Sequence, residues 1–347
     1  EHVGESLIPA AVQTLRRLGV KAELDRRGFL RKRGTTFVWG SGQDPWTVYF
    51  VEGNPLAGYS YQLHRPEFDE LLLQTAADFG VQVLQRAAVT GVLREGEAVT
   101  GVNVSLDGGA AETWRARLVI DASGQAGVIA RALNLRQWDS DIRNMAVYGY
   151  WEGSDRLPGI DAPNTLVEAF DEGWIWHIPL HTGQVSVGAI IDSAAYDRHR
   201  ADWRGAYHRL VAQSRVAAGL LRPATFVDGP HLVRDWSYTA SRYWGPGYLL
   251  LGDAACFIDP LFSTGVHLAM QQANNAAACA NAWLRGDVTE ADAFGLYESE
   301  YREEYQDLRQ IVLLMYASAQ QPVESVFWGA RRILGLPEGF DARRAFL

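Results

Sequence analysis

Apolar positions recur at helical spacing from 6 to 18, where Leu7, Ala11, Val12, Leu15 and Leu18 share one face. Pro9 falls in the first turn, where its missing N–H costs little. A second helix is expected over 66–79, after the polar-aromatic run GYSYQLHR. Strand patterning then takes over, with a short β run at 82–85 and a hairpin over 87–105 that turns at Glu95, Gly96 and Glu97. The doubled VTGV at 89–92 and 99–102 reads as its two arms, and no repeat of 20–50 residues occurs. RLVIDAS (117–123) is a strand stopped by Gly124. From 145 to 191 the runs MAVYGYWEG, TLVEAF, GWIWHIPL and QVSVGAIID alternate as antiparallel strands do. A helix at 200–219 interrupts them, strands resume at 224–240, and YLLLGDAA (248–255) is a buried strand ending in Gly-Asp. Long helices are expected at 264–285 and 291–319. The order predicts α/β plus α+β, an antiparallel sheet inserted into an alternating framework.

Composition narrows the class. Apolar residues make up 48% of the 347 and charged ones 21%, which excludes a disordered chain. The formal charge of −9 argues against a nucleic-acid binder. Two cysteines, Cys256 and Cys279, give no disulfide framework and point to a reducing cytoplasm. Both are expected to be buried. No apolar run reaches the ~20 residues of a membrane helix; the segment 266–284 is broken by Gln271, Gln272, Asn274 and Asn275. No secretory signal pattern is present. The chain opens at Glu1 without an initiator Met and ends at Leu347 inside DARRAFL, so further sequence is expected on both sides. Eight histidines lack metal spacing, and Ser123 and Ser263 lack a GxSxG context.

Three motifs carry chemistry. In YLLLGDAACFIDPLFSTGVHLAM (248–270) a strand delivers Gly252 and Asp253 to the edge where open α/β sheets bind ligands. Asp253 can accept hydrogen bonds from sugar-like hydroxyls. Ser263, Thr264 and Gly265 then open a helix whose unpaired N–H groups make an anion site. Taken alone, the triplet is an ordinary helix start. In GWIWHIP (173–179), period two puts Trp174 and Trp176 on one strand face and Ile175 and His177 on the other. Two indoles on one face can wall off a cavity, or simply pack a core. In GFLRKRGTTFVWG (28–40) stands Lys32, one of two lysines among 32 basic residues. An amine can be made neutral and nucleophilic where a guanidinium cannot, although a solvated loop lysine between Arg31 and Arg33 fits the bare pattern. Lys21 reads as a helix C-terminal lysine, Glu5 as a helix-start acid, and Arg65 as either a cofactor contact or a surface ion pair.

The 248–270 string resembles the second FAD signature of flavoproteins built like p-hydroxybenzoate hydroxylase, and VIDASG (119–124) resembles their second dinucleotide-domain strand. More narrowly, Phe257, Pro260, Ser263 and Gly265 fit the Fx.Px.Sx.G pattern of flavin-dependent halogenases, and GWIWHIP their WxWxIP signature. The Lys32 segment resembles the halogenase lysine segment, and HVGESLIPA (2–10) the stretch after the first βαβ unit. The GxGxxG fingerprint is absent, and the family places it upstream of the first residue here; Gly245-Pro-Gly247 precedes a strand and is no substitute.

The resemblance implies a discontinuous Rossmann-like FAD-binding domain (1–40, 64–135 and 245–290), an antiparallel substrate domain (41–63 and 136–244) and a C-terminal helical region (291–347). It implies Lys32 and Ser263 as catalytic, and Trp174, Trp176, Pro179 and Phe262 as channel and flavin-shielding residues. Glu5, Val89, Gly252, Asp253 and Val266 would contact FAD, and Thr264 and Gly265 would hold chloride or bromide. No nicotinamide site is evident, so a separate flavin reductase is the implied partner. The tryptophan-acting enzymes carry glutamate just before the STG triplet, where this chain has Phe262. That departure points to the phenol- and pyrrole-acting branch, with the ring free or tethered to a carrier protein. An aromatic hydroxylase or a geranylgeranyl-reductase-like flavoprotein shares the fold and the Gly-Asp motif. A non-catalytic binding protein on the same scaffold is the rival from another class.

Overall fold

The structure, a computed structural model, describes residues 3–40, 44–53, 55–56, 58–234, 237–319, 325 and 327–328. Most of the expected C-terminal region beyond 319, including DARRAFL, lies outside the described residues.

The helix Pro9–Arg17 starts at its proline and buries Ala11, Val12 and Leu15, which pack with Leu7, Leu63 and Phe68. Phe68 belongs to the helix Arg65–Asp78. The antiparallel expectation for 145–191 describes the centre of a seven-stranded sheet. Its order is Thr225–Arg234, Asn144–Glu152, Gln184–Asp192, Gly173–Pro179, Thr165–Phe170, Gly34–Val38 and Trp46–Tyr49. The one parallel pairing joins Thr165–Phe170 to Gly34–Val38.

Both faces of that sheet are covered. Trp174, Trp176 and Ile178 pack into a core shared with Tyr316 and Leu313 of the long helix Glu290–Ser318. Ile175 faces the other way, into a core with Val187, Leu166, Tyr207 and Leu210. A smaller parallel pair, Val119–Asp121 beside Tyr248–Leu250, delivers the Gly-Asp turn. The helix Gly265–Arg285 then packs along Glu290–Ser318 and ends on Gly286 at φ +81°, a left-handed cap that glycine adopts without strain. Among the described residues, no helix is long and apolar enough to cross a membrane.

Several expectations are corrected. No strand forms at 82–85, because Val81 and Leu84 are exposed and the run pairs with no strand among the described residues. The hairpin Ala87–Glu95/Ala98–Leu106 gains a third strand, Ala111–Arg115. The helix expected over 200–219 is two, Trp203–Gln213 and Val216–Leu220, with Ser214 extended between them. The buried Glu168 carboxylate accepts from the N–H groups of Arg215, Val216 and Ala217, and those donors are available only at a helix start. Lys21 opens the short helix Lys21–Arg26 rather than closing one, and pairs with Asp25 at 2.7 Å. Cys256 is buried, but Cys279 is only half-buried.

Candidate active site

The strand Tyr248–Leu250 runs into a tight turn at Gly252–Ala254, with Gly252 at φ +60°. A Cβ at Gly252 would stand 3.2 Å from the Cβ of Ala269, so the turn and the helix Gly265–Arg285 approach closely. Burial pushes the Asp253 carboxyl up to about 6, opposed by the charge of Arg65. Among the described residues no side chain or backbone group donates to that carboxyl. Arg65 has its own partners, Asp69 and the Val3 carbonyl, at 3.0 Å each. It also lies where a Cβ on Gly4 would come within 2.9 Å of its Nη1.

Asp259 shapes the approach to the next helix. Its Oδ1 accepts from Leu261 N at 3.0 Å and holds the turn Pro260–Phe262. Ser263 follows at φ +57°, a left-handed conformation that costs a non-glycine residue about 1 kcal/mol. The helix begins at Gly265 with no side-chain cap from Thr264, and the first helical bond is Leu268 N to Thr264 O. The earlier N–H groups of this 21-residue helix therefore have no intrahelical acceptor and can take an anion. A Cβ on Gly265 would lie 2.9 Å from the Phe257 ring, which explains a glycine there. Phe262 is buried, and Val266 packs against the core under the first helix.

Trp174 and Trp176 stand side by side, ring centroids 6.2 Å apart. Trp174 Nε1 donates to the Tyr316 hydroxyl at 3.0 Å, and that hydroxyl donates to Asp259 Oδ2 at 2.9 Å. Asn144 Nδ2 donates to the same Oδ2 at 2.7 Å. One buried carboxylate thus ties the indole strand to the turn before Ser263. Trp176 Nε1 donates to Ser186 Oγ at 3.1 Å, and its ring covers Gly188 across the sheet. Pro179 closes the same strand and is buried.

Glu5 is not a helix-start acid. It is buried ahead of the first helix, accepts from the Tyr150 hydroxyl at 2.8 Å and also bonds Ser186. Burial raises its carboxyl above the usual range. Lys32 is no solvated loop lysine. The two-residue strand Arg31–Lys32 pairs with Ser60–Tyr61 and places the side chain inward, 1% exposed. Its Nζ donates to Ser6 Oγ at 2.6 Å and lies 5.4 Å from the Phe50 ring centroid. Among the described residues no carboxylate pairs with it, and burial pulls the amine down to about 7. Val89 lies on the three-stranded sheet Ala87–Glu95/Ala98–Leu106/Ala111–Arg115 and is 43% exposed.

A family model described as tryptophan halogenase matches residues 52–347. The chain belongs to this family. A tryptophan 2-halogenase of Chondromyces crocatus is 32% identical over 339 residues, covering 96% of this chain and 64% of its own. Sulochrin halogenase gedL of Aspergillus terreus is 31% identical over 368 residues, covering 98% and 66%. The solved myxobacterial chondrochloren halogenase CndH superposes with a TM-score of 0.92 at 36% identity, over 97% of this chain and 79% of its own. The flavin-dependent halogenase CmlS gives 0.90 at 35%, over 97% and 62%. The chain therefore spans a little under two thirds of the length of the first of these relatives. The α/β plus α+β expectation agrees with these folds.

FAD is the cofactor of flavin-dependent halogenases, and the residues here fit it. The half-buried Asp253 carboxyl, without a donor among the described residues, suits a sugar-like hydroxyl. Gly4, Gly252 and Gly265 let the Arg65 side chain, the Ala269 helix face and the Phe257 ring pack closely around the same turn and helix start.

Sequence reasoning passed over Ser6, Asn144, Ser186, Gly188 and Tyr316. Asp259 lies inside the 248–270 motif, and Ser6 beside Glu5 in GES. The others show only when the strands are paired. If the Tyr316–Asp259 bond fixes Trp174, Tyr316→Phe should cost on the order of 1–2 kcal/mol in urea unfolding. An unchanged midpoint would show the hydroxyl to be dispensable.

Proposed function

We propose that this chain carries the catalytic framework of an FAD-dependent halogenase that acts on an electron-rich phenol or pyrrole ring, free or carrier-tethered, with chloride or bromide. The observation that carries the reading is Lys32: a fully buried amine without an acidic partner among the described residues, drawn down to about 7, in a chain of this family. Reduced FAD, delivered by a separate reductase, would supply the electrons with which oxygen is activated to oxidise halide. Asp253, Gly252, Glu5, Val266 and Val89 are the residues proposed to hold it.

The helix start at Thr264 and Gly265 holds the halide through its free N–H groups, and the left-handed Ser263 sets their direction. Trp174, Trp176, Pro179 and Phe262 keep the substrate ring away from the flavin side and exclude water. Lys32, neutral in about half the molecules near pH 7, meets the hypohalous acid. It either hydrogen-bonds the acid or forms an N–halogen bond with loss of water. The ring carbon then takes the halogen, loses its proton and regenerates the amine or releases water.

The substrate class rests on Phe262. A carboxylate at that position could stabilise positive charge developing on an indole; a phenyl ring cannot. The ring must then supply its own activation, as phenols and pyrroles do. The relative named tryptophan 2-halogenase supports tryptophan as a second reading. A competition of phenol, pyrrole and free tryptophan, with a reductase, oxygen and bromide, separates the two. The proposal expects halogenated phenol or pyrrole and no turnover of tryptophan. Halogenated tryptophan with the other rings untouched overturns it.

A further inference from the structure

Five buried polar side chains share one small face around Lys32. Ser60 lies directly across the strand pair from Lys32, and Gln62 is two residues on, bridged to Ser6. Lys32, Ser6, Ser60, Gln62 and Thr165 are each no more than 4% exposed. Burying so many polar groups is unfavourable unless they are paired; Lys32, Ser6, Thr165 and the Gln62 amide are, whereas Ser60 Oγ and Gln62 Oε1 have no partner among the described residues.

Their bonds have a direction. Gln62 commits both amide hydrogens, to the Pro163 carbonyl and to Thr165 Oγ1, each at 3.0 Å. Thr165 Oγ1 therefore accepts there, and its own hydrogen is free for Ser6 Oγ, 3.0 Å away. Ser6 Oγ in turn meets Lys32 Nζ at 2.6 Å, the one hydrogen bond of that amine among the described residues. A hydroxyl suits both protonation states, accepting from an ammonium and donating to the lone pair of a neutral amine.

The other ionisable groups on the surrounding elements have different partners or positions. Glu5 is held by Tyr150. Asp25 is held by Lys21, Arg31 and Tyr61. Tyr59 hydrogen-bonds Lys21 and Tyr61, and Glu52 bonds Tyr49 N. Arg33 points outward beside Lys32. Among the described residues, Ser6 is thus the one group that hydrogen-bonds the Lys32 nitrogen.

We propose that Ser6 and Thr165, braced by Gln62, are positioning residues for the Lys32 amine. The hydroxyl chain holds Nζ at one point in either protonation state and leaves its other valences unpaired for a reactant. This rests on the proposed role of Lys32, but its test needs neither FAD nor substrate.

Because the chain has only two lysines, labelling with nitrogen-15 lysine gives two amine signals. Their pH titration by NMR reads Lys32 directly, with Lys21 as the internal control. An ammonium loses more than a neutral amine when a partner is removed. Ser6→Ala should therefore lower the Lys32 midpoint by about one pH unit, and Ser6→Thr should restore it. Thr165→Val should shift it the same way by less, and carries the test alone if Ser6→Ala does not fold. A Lys32 midpoint unmoved in the foldable variants, with Lys21 also unmoved, overturns the proposal. Halogenation assays bear only on the role of Lys32 and leave this result standing.

Discussion

Lys32→Met should stabilise the protein while abolishing halogenation. The folded amine sits near 7 against its ordinary 10.5, so between those values the unfolded chain binds the extra proton. Stability therefore rises with pH across that window and is lowest well below about 7, where the buried charge is carried in full. Methionine fills similar volume without a charge. At pH 7 the variant should gain on the order of 3 kcal/mol in denaturant unfolding. The wild type should approach it as pH rises towards 10, while the variant loses that slope. Such a trade of stability for reactivity is usual at functional sites.

Halogenated product should vanish in the same variant while oxidation of reduced flavin continues. Lys32→Arg should fail as well, because guanidinium stays protonated. In the wild type, halogenation should decline below about pH 7 as the amine takes up its proton. A destabilised Lys32→Met, or one that still halogenates, would remove Lys32 from its proposed place.

Gly188→Ala should uncouple flavin oxidation from halogenation. Gly188 pairs directly with Trp176 across the sheet, and a methyl there would fall inside the six-membered part of the indole. The ring must leave, giving up its bond to Ser186 and its contact with Trp174. Overpacking of this kind costs about 1–3 kcal/mol. If the two indoles are the proposed wall, product per flavin oxidised should drop at least ~10-fold, the equivalent of about 1.4 kcal/mol. Free hypohalous acid should then be trappable in solution with an added halogen acceptor. Coupling at the wild-type ratio in a folded Gly188→Ala protein would mean that the indoles serve only as core.

What was legible in the sequence is what repeats locally. Period-two alternation placed Trp174 and Trp176 on one face and Ile175 on the other, and the two cores divide along that line. The 248–270 string showed the Gly-Asp turn and the helix start, because backbone demands at Gly252 and Gly265 exclude side chains. Long-range partners were not legible. Tyr316 reaches Trp174 and Asp259 from 142 and 57 residues away. Ser6 reaches Thr165 across 159 residues.

Burial also escaped the sequence where polar neighbours concealed it. Lys32, flanked by two arginines, gives no hydropathic sign of being enclosed. Only its pairing with Ser60–Tyr61 turns it inward. The break at Ser214 was hidden for the same reason, since the carboxylate that stabilises it comes from Glu168 on a different element.

The most direct test is a single reaction read by mass spectrometry. The protein is incubated with FAD, a flavin reductase and its nicotinamide, oxygen, bromide and a simple phenol. The account predicts a phenol product bearing the paired isotope peaks of bromine, present with the wild type and absent with Lys32→Met. A phenol that gains oxygen instead, or bromination undiminished in Lys32→Met, would contradict it.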